Sequence, residues 1–176
     1  KMIIPKSDLP RVVVVGGGFA GLALARNLLK QDVQMVLLDR HNYHTFQPLL
    51  YQVSTSGLEP DSIAYPLRKI TRSSDRCFFR LTEVKSISAE KNTVHTSIGD
   101  IIYDYLVIAT GSKTNFFGND SIEEHGMWMK TVPQALNIRS LILENLEQAT
   151  ITDDPEKRKS LLNFVLAGAG PTGVEL

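Results

Sequence analysis

A single cysteine in 176 residues removes several classes of chemistry at once. Cys77 alone builds neither an intrachain disulfide framework nor a cysteine-based metal site, and no redox-active cysteine pair exists. An excess of one charge is also missing. Lysine plus arginine and aspartate plus glutamate number 19 each, so the basic surplus of a nucleic-acid binder is absent. Long hydrophobic runs are lacking too, since every apolar stretch falls short of the roughly 20 residues that a membrane span needs. Residues 1–10 have neither the apolar core nor the small-residue cleavage site of a signal peptide. Histidine is sparse: His41 and His44 stand three apart in an irregular stretch, and His95 and His125 are isolated. No metal site is expected from them, because further ligands are not in evidence nearby. No Ser-His-Asp order and no glycosidase carboxylate pair stands out.

What is present is an ordinary globular composition, 43% apolar and 22% charged, on a chain long enough for one domain and part of another. Its most informative features are two glycine loops. Residues 12–21 read Val12-Val13-Val14-Val15-Gly16-Gly17-Gly18-Phe19-Ala20-Gly21, and residues 163–176 read Asn163-Phe164-Val165-Leu166-Ala167-Gly168-Ala169-Gly170-Pro171-Thr172-Gly173-Val174-Glu175-Leu176. Each is an apolar strand, a G-x-G-x-x-G turn and a helix start, the arrangement that sets a pyrophosphate on helix N-terminal amides. In the first loop Gly16 permits the tight turn, Gly18 lets backbone approach phosphate, and Gly21 lets helix and strand close up. Asp39 ends the next strand eighteen residues after Gly21, where an acid accepts hydrogen bonds from an adenosine ribose. One such loop marks a dinucleotide domain. Two in series mark a flavin enzyme that also takes a nicotinamide nucleotide.

The periodicity gives the remaining elements. Residues 11–15 and 34–38 read as buried parallel strands, and residues 19–31 as a helix with Leu22, Ala25, Leu28 and Leu29 on one face. Residues 40–69 hold Pro48, Gly57, Pro60 and Pro66 and read as an ordered loop with short helical pieces. Residues 77–103 alternate apolar and polar, with turns at 90–92 and 99–100, and predict a small antiparallel meander. Residues 106–109 return to a buried strand, residues 133–148 predict a helix, and residues 153–159 a charged surface stretch. Residues 170–176 are too few for a helix that stands alone and are expected to fray or to be held only by a neighbouring molecule. Cys77 and Trp128 read as packing residues. The expected fold is α/β, a Rossmann-like dinucleotide domain with a parallel sheet and a small antiparallel meander, plus the truncated start of a second nucleotide domain. The boundary is expected at 111/112, with residues 1–111 as the first, incomplete domain and residues 112–176 as connector, helix and first strand and loop of the second.

The segment Asp39-Arg40-His41-Asn42-Tyr43-His44-Thr45-Phe46-Gln47-Pro48-Leu49-Leu50-Tyr51-Gln52-Val53 closely resembles type II NADH dehydrogenases, the single-subunit NADH:quinone oxidoreductases. Residues 57–60 (Gly-Leu-Glu-Pro), 63–68 (Ile-Ala-Tyr-Pro-Leu-Arg), 109–118 and 168–176 extend the likeness over essentially the whole chain. The resemblance implies FAD held non-covalently, hydride taken from NADH, and two electrons passed to a membrane quinone in ping-pong order. It places FAD against Gly16, Gly17, Gly18, Phe19, Ala20, Gly21, Asp39 and Arg40. Gln47, Pro48 and Leu49 match the stretch beside the isoalloxazine ring. Ala109, Thr110 and Gly111 match the A-T-G segment that passes close to FAD, and the strand at Val84 the backbone that faces adenine. Gly168, Gly170 and Gly173 match the NADH loop, and Glu175 the glutamate near the meeting point of nicotinamide and flavin. The implied enzyme is peripheral on the cytoplasmic face of the membrane. It reaches quinone and membrane through regions beyond this chain, so the fragment itself is expected to be inactive and prone to self-association. Two other readings stay open on the residues: an NAD(P)H reductase of a soluble acceptor such as ferredoxin, and a non-catalytic, redox-sensing nucleotide module.

Overall fold

The computed structural model describes residues 1–176, which form two compact units. The first comprises Lys1–His44 and Ala64–Ser112, and the second Thr45–Ile63 and Lys113–Leu176.

The first unit is built on four parallel strands in the order β5-β2-β1-β9. These are β1 (Arg11–Val15), β2 (Gln34–Asp39), β5 (Cys77–Leu81) and β9 (Tyr105–Ile108). The valine run forms β1 because β-branched side chains fit a pleated surface and both faces of this strand are covered. Val12 and Val14, with Met35, Leu37, Cys77 and Phe79, point to the face packed by Leu22 and Ala25 of α1 (Phe19–Leu28) and by Leu67 and Ile70. Val13 and Val15, with Val36 and Leu38, point to the other face, against Val94, Ile101 and Tyr103. Val13, Val14, Val36 and Leu37 retain no exposed surface, and each such side chain stabilises the fold by about 1.5–3 kcal/mol relative to exposure.

The second face is roofed by an antiparallel meander of β6 (Val84–Ser88), β7 (Thr93–Thr96) and β8 (Gly99–Ile102). The predicted meander is therefore real but shorter than expected. Residues 77–81 pair parallel with β2, Met35 opposite Cys77 and Leu37 opposite Phe79. Alternation misled here because an edge strand of a parallel sheet and a meander strand share the same period of two. Cys77 is buried, as its strand position implied. A second expectation also changes: β9 pairs only with β1, so it is an edge, and Tyr105 and Ile108 are 62% and 63% exposed. Burial of a strand depends on having neighbours on both sides, which an apolar run does not specify.

Residues 40–69 contain short pieces, as expected. The chain leaves the first unit through β3 (Tyr43–Thr45) and returns through β4 (Ala64–Pro66), which pairs with β3; α3 (Arg68–Thr71) follows.

In the second unit, α2 (Leu50–Ser54) lies against α5 (Val132–Ile151), and Arg139 pairs with Glu59 at 3.5 Å. α5 begins with a capping box: Thr131 Oγ1 accepts from Gln134 N, and Gln134 Oε1 accepts from Thr131 N. The preceding α4 (Asp120–His125) is capped by Asn119. Phe116 meets Trp128 edge-on at 5.2 Å, yet Trp128 stays 37% exposed, so it is a surface contact rather than the buried packing residue expected. The stretch read as charged surface is helical, α6 (Pro155–Leu161), because Asp154 Oδ1 accepts from Glu156 N and Lys157 N and Pro155 occupies the first turn. Arg158 joins the two helices by donating to Ala149 O and Thr152 O. Residues 163–169, predicted as a strand, run without strand pairing, and Val165 is 84% exposed. A strand exists only through a partner's backbone, and none in this chain lies alongside. Residues 171–175 form one turn, α7 (Pro171–Glu175), rather than fraying, with Val174 N donating to Gly170 O at 3.1 Å. Pro171, with φ already set for a helix, stands in that turn.

Candidate functional site

Strand register assembles the site. Val15 of β1 lies opposite Leu38 of β2 and Ile108 of β9. The residues that follow these three strands are therefore Gly16, Asp39 and Ala109, all at the carboxyl edge of one parallel sheet. Hydrogen bonds close the junctions: Gly16 N donates to Leu38 O and Ala109 N to Val15 O, each at 2.8 Å. β1 has its sequence neighbour β2 on one side and the late strand β9 on the other, so the crevice lies at a topological switch point, where open α/β sheets bind ligands.

The loop geometry requires its glycines. Gly16 has φ +106°, and a Cβ there would strike the Ala109 carbonyl oxygen. A Cβ on Gly21 would strike the Gly16 carbonyl oxygen. At Gly18, by contrast, a Cβ would meet nothing within 4 Å, so this residue borders open space. Gly18 is the N-cap of α1, whose N-terminus has no side-chain cap and no acid in its first turn. That leaves a helix end with partial positive charge open to an anion. Phe19 and Ala20, the first residues of α1, are exposed.

Asp39 does more than end β2. Its Oδ2 accepts from Gly17 N at 2.5 Å and its Oδ1 from His41 N at 2.7 Å, so the carboxylate staples the glycine loop to the second strand. An ionised carboxylate has about four acceptor positions, so roughly two stay available to a ligand hydroxyl. Arg40 follows on the exposed side. Thr82 N donates to Asp39 O at 2.8 Å, which starts the 82–84 segment beside the same strand end, and Val84 opens β6 half-buried. Thr110 and Gly111 are exposed after β9, Gly111 at φ +71° with open space where a Cβ would stand.

Two supporting residues escaped the sequence reading. His44 is buried, its Nδ1 3.0 Å from Gly17 O, and Leu67 lies where a Cβ on Gly17 would go. In sequence His44 stands three positions after His41 and inside the family-like segment, and nothing local shows that it folds back 27 positions onto the loop. His95 pairs with Asp100 at 2.9 Å on the meander, and His125 is exposed on α4.

The second unit holds the other named residues. Gln47, Pro48 and Leu49 form a 3-10 turn, and Gln47 Nε2 donates to Lys130 O at 3.5 Å. The second glycine loop repeats the backbone pattern of the first, except that a Cβ on Gly168 would meet nothing within 4 Å. Gly168 has φ +127°, Gly170 is an N-cap with open space at its Cβ position, and a Cβ on Gly173 would strike Gly168 O. Glu175 is exposed at the end of α7.

Two such loops in one chain call for comparison with known proteins, and the family described as pyridine nucleotide-disulphide oxidoreductase matches residues 10–176. The chain belongs to that family. A type II NADH:quinone oxidoreductase of Mycobacterium tuberculosis is 41% identical over 170 residues, covering 94% of this chain and 37% of that protein. The resemblance to type II NADH dehydrogenases thus holds along nearly all of the chain. Among solved structures, NDH2 from Plasmodium falciparum in complex with RYL-552 has a TM-score of 0.87 at 27% identity, covering 95% of this chain and 35% of that one. The sulfide:quinone oxidoreductase of Aquifex aeolicus has a TM-score of 0.69 at 33% identity, over 78% of this chain and 32% of that one. The chain spans about a third of the length of the curated relatives it matches. In this member of the pyridine nucleotide-disulphide family Cys77 stands alone and buried in β5, so these residues supply no redox disulfide.

Proposed function

We propose that this chain is the FAD-binding part of a type II NADH:quinone oxidoreductase. The reading rests chiefly on the register that carries residues 16–21, Asp39 and residues 109–111 to one sheet edge. When bound, FAD would supply the electron chemistry between NADH and a quinone. The residues present fit it. Open space at Gly18, beside the uncapped start of α1, leaves room for the pyrophosphate against Gly17, Gly18, Phe19, Ala20 and Gly21. Asp39 keeps acceptor capacity for ribose hydroxyls, with Arg40 next to it, and Val84 presents backbone to adenine. Ala109, Thr110 and Gly111 would hold the flavin, and Gln47, Pro48 and Leu49 match the family's stretch for its ring system. Gly168, Gly170 and Gly173 would receive NADH, and Glu175 would serve as the family's glutamate on the nicotinamide side. Residues 1–111 form the FAD domain and residues 112–176 lead into the NADH domain.

The whole enzyme works at the cytoplasmic membrane surface, where its quinone resides, and no helix of this chain is long and apolar enough to cross a membrane. Tyr105, Ile108, Leu141, Leu146 and Phe164 expose apolar surface that favours self-association of this chain in isolation. Titrating the FAD-free chain with FAD, followed by flavin fluorescence, tests the reading. Saturable quenching is expected, competed by ADP and abolished when the first loop is disrupted. A chain that never takes up FAD would sink it.

A further inference from the structure

Gly17 is held on both of its backbone polar groups by side chains from one short segment. Its N–H donates to Asp39 Oδ2, and its carbonyl lies 3.0 Å from His44 Nδ1. A backbone carbonyl only accepts, so Nδ1 carries the proton in this contact. The imidazole is 7% exposed, and Phe19 stands edge-on to it with ring centroids 5.0 Å apart. These contacts leave the ring little freedom to turn.

The consequence falls on the next residue. The Gly17 carbonyl and the Gly18 N–H belong to one planar trans peptide and point in opposite directions. Anchoring the carbonyl on His44 therefore aims the Gly18 N–H away from the imidazole. No backbone or side-chain group of the chain accepts from that N–H, and Gly18 borders open space. With glycine on both sides, this peptide has no Cβ to restrain its rotation, so an external anchor is what fixes its direction. We infer that His44 is a positioning residue whose Nδ1–H locks the peptide joining Gly17 to Gly18, presenting the Gly18 N–H to the diphosphate of a bound nucleotide. The inference rests on the dinucleotide reading above and adds a residue to it from outside the glycine loop.

The test compares wild type with His44→Leu, which removes the donor, and His44→Asn, whose amide nitrogen takes roughly the place of Nδ1. Each is titrated calorimetrically with ADP, with FAD, and with adenosine, which lacks the diphosphate. His44→Leu is expected to weaken ADP and FAD by about tenfold, the worth of one well-aligned hydrogen bond, and to leave adenosine unchanged. His44→Asn is expected to restore most of the loss. In wild type, nitrogen-15 spectra are expected to show the Nδ1–H tautomer. A folded His44→Leu variant with undiminished ADP affinity would overturn the lock. So would equal losses for adenosine and ADP, failure of asparagine to rescue, or an Nε2–H tautomer. If His44→Leu does not fold, the asparagine variant and the tautomer decide. If wild type binds neither ADP nor FAD, the dinucleotide reading fails. The lock is then judged by the tautomer and by whether the Gly18 amide resonance moves between wild type and His44→Asn less than between wild type and His44→Leu.

Discussion

Asp39 staples the glycine loop and, in the proposed function, also meets the ribose, and separating the two is the most informative perturbation. Its Oδ2 accepts from the N–H of buried Gly17 at 2.5 Å, and its Oδ1 from the N–H of half-buried His41 at 2.7 Å. A hydrogen bond to a charged group contributes roughly 1.5–3 kcal/mol net. Asp39→Ala strands the Gly17 amide away from water, whereas the His41 amide recovers much of its loss by hydration. The expected destabilisation is about 2–4 kcal/mol, since the second bond contributes under about 1 kcal/mol net once water replaces the carboxylate. For a chain of this size that corresponds to roughly 5–15 °C in Tm. Asp39→Asn is the sharper probe. Its amide has one acceptor oxygen for two incoming N–H groups, so one staple survives and the other becomes a donor facing a donor. It should fall between wild type and alanine, at about 1–2 kcal/mol. Urea unfolding followed by circular dichroism measures both variants, and FAD titration of the folded fraction reads the ribose duty separately, with about a ten- to hundredfold loss expected for alanine. If Asp39→Asn is as stable as wild type and binds FAD equally well, the carboxylate neither staples the loop nor meets the ribose, and the reasoning fails.

The two ends of the glycine loop should respond oppositely to a methyl group. Gly16→Ala, at φ +106° and directed into the Ala109 carbonyl, is expected to cost about 2–4 kcal/mol in urea unfolding. Gly18→Ala meets no atom within 4 Å and should leave stability within about 0.5 kcal/mol while weakening FAD on the order of tenfold or more, because the methyl would fill the proposed phosphate approach. Equal effects of the two substitutions on stability would contradict the geometry. Thr131→Ala removes the hydroxyl of the α5 capping box and should lower thermal stability of the second unit by about 1 kcal/mol, read by far-ultraviolet melting; an unchanged melt would mean the cap is redundant. Residues 163–169 have no strand neighbours to set the second loop. Hydride transfer requires nicotinamide and flavin stacked within about 3.5 Å. FAD-loaded residues 1–176 are therefore expected to show no rapid, saturable bleaching when mixed with NADH in a stopped-flow instrument. Such bleaching would show that these residues already form a complete catalytic unit.

Several features were legible in the residues alone because their causes are local. A valine run, three glycines at fixed spacing and the apolar positions Leu22 and Ala25 determine β1, its turn and α1 within a few residues of one another. Asp39 was legible as a strand-end acid for the same reason, and the unusual stretch around Gln47, Pro48 and Leu49 carried the family likeness. Other features depend on partners distant in sequence. Alternation over Cys77, Phe78 and Phe79 is the same whether the strand joins a meander or a parallel sheet; the pairing with Met35 and Leu37 decided it. The apolar residues of β9 resemble those of a central strand, yet having one neighbour left Tyr105 and Ile108 exposed. Asp39 as a staple and His44 as its companion were invisible, because hydrogen bonds spanning 22 and 27 positions leave no periodic trace. Propensity and period are properties of residues a few positions apart, so the sequence by itself determined β1, its glycine turn and α1, whereas residues 163–169, strand-like in pattern, found no partner and formed no strand. Register, edge position and the grip on Gly17 are distances between segments, and those exist only once the tertiary structure has closed.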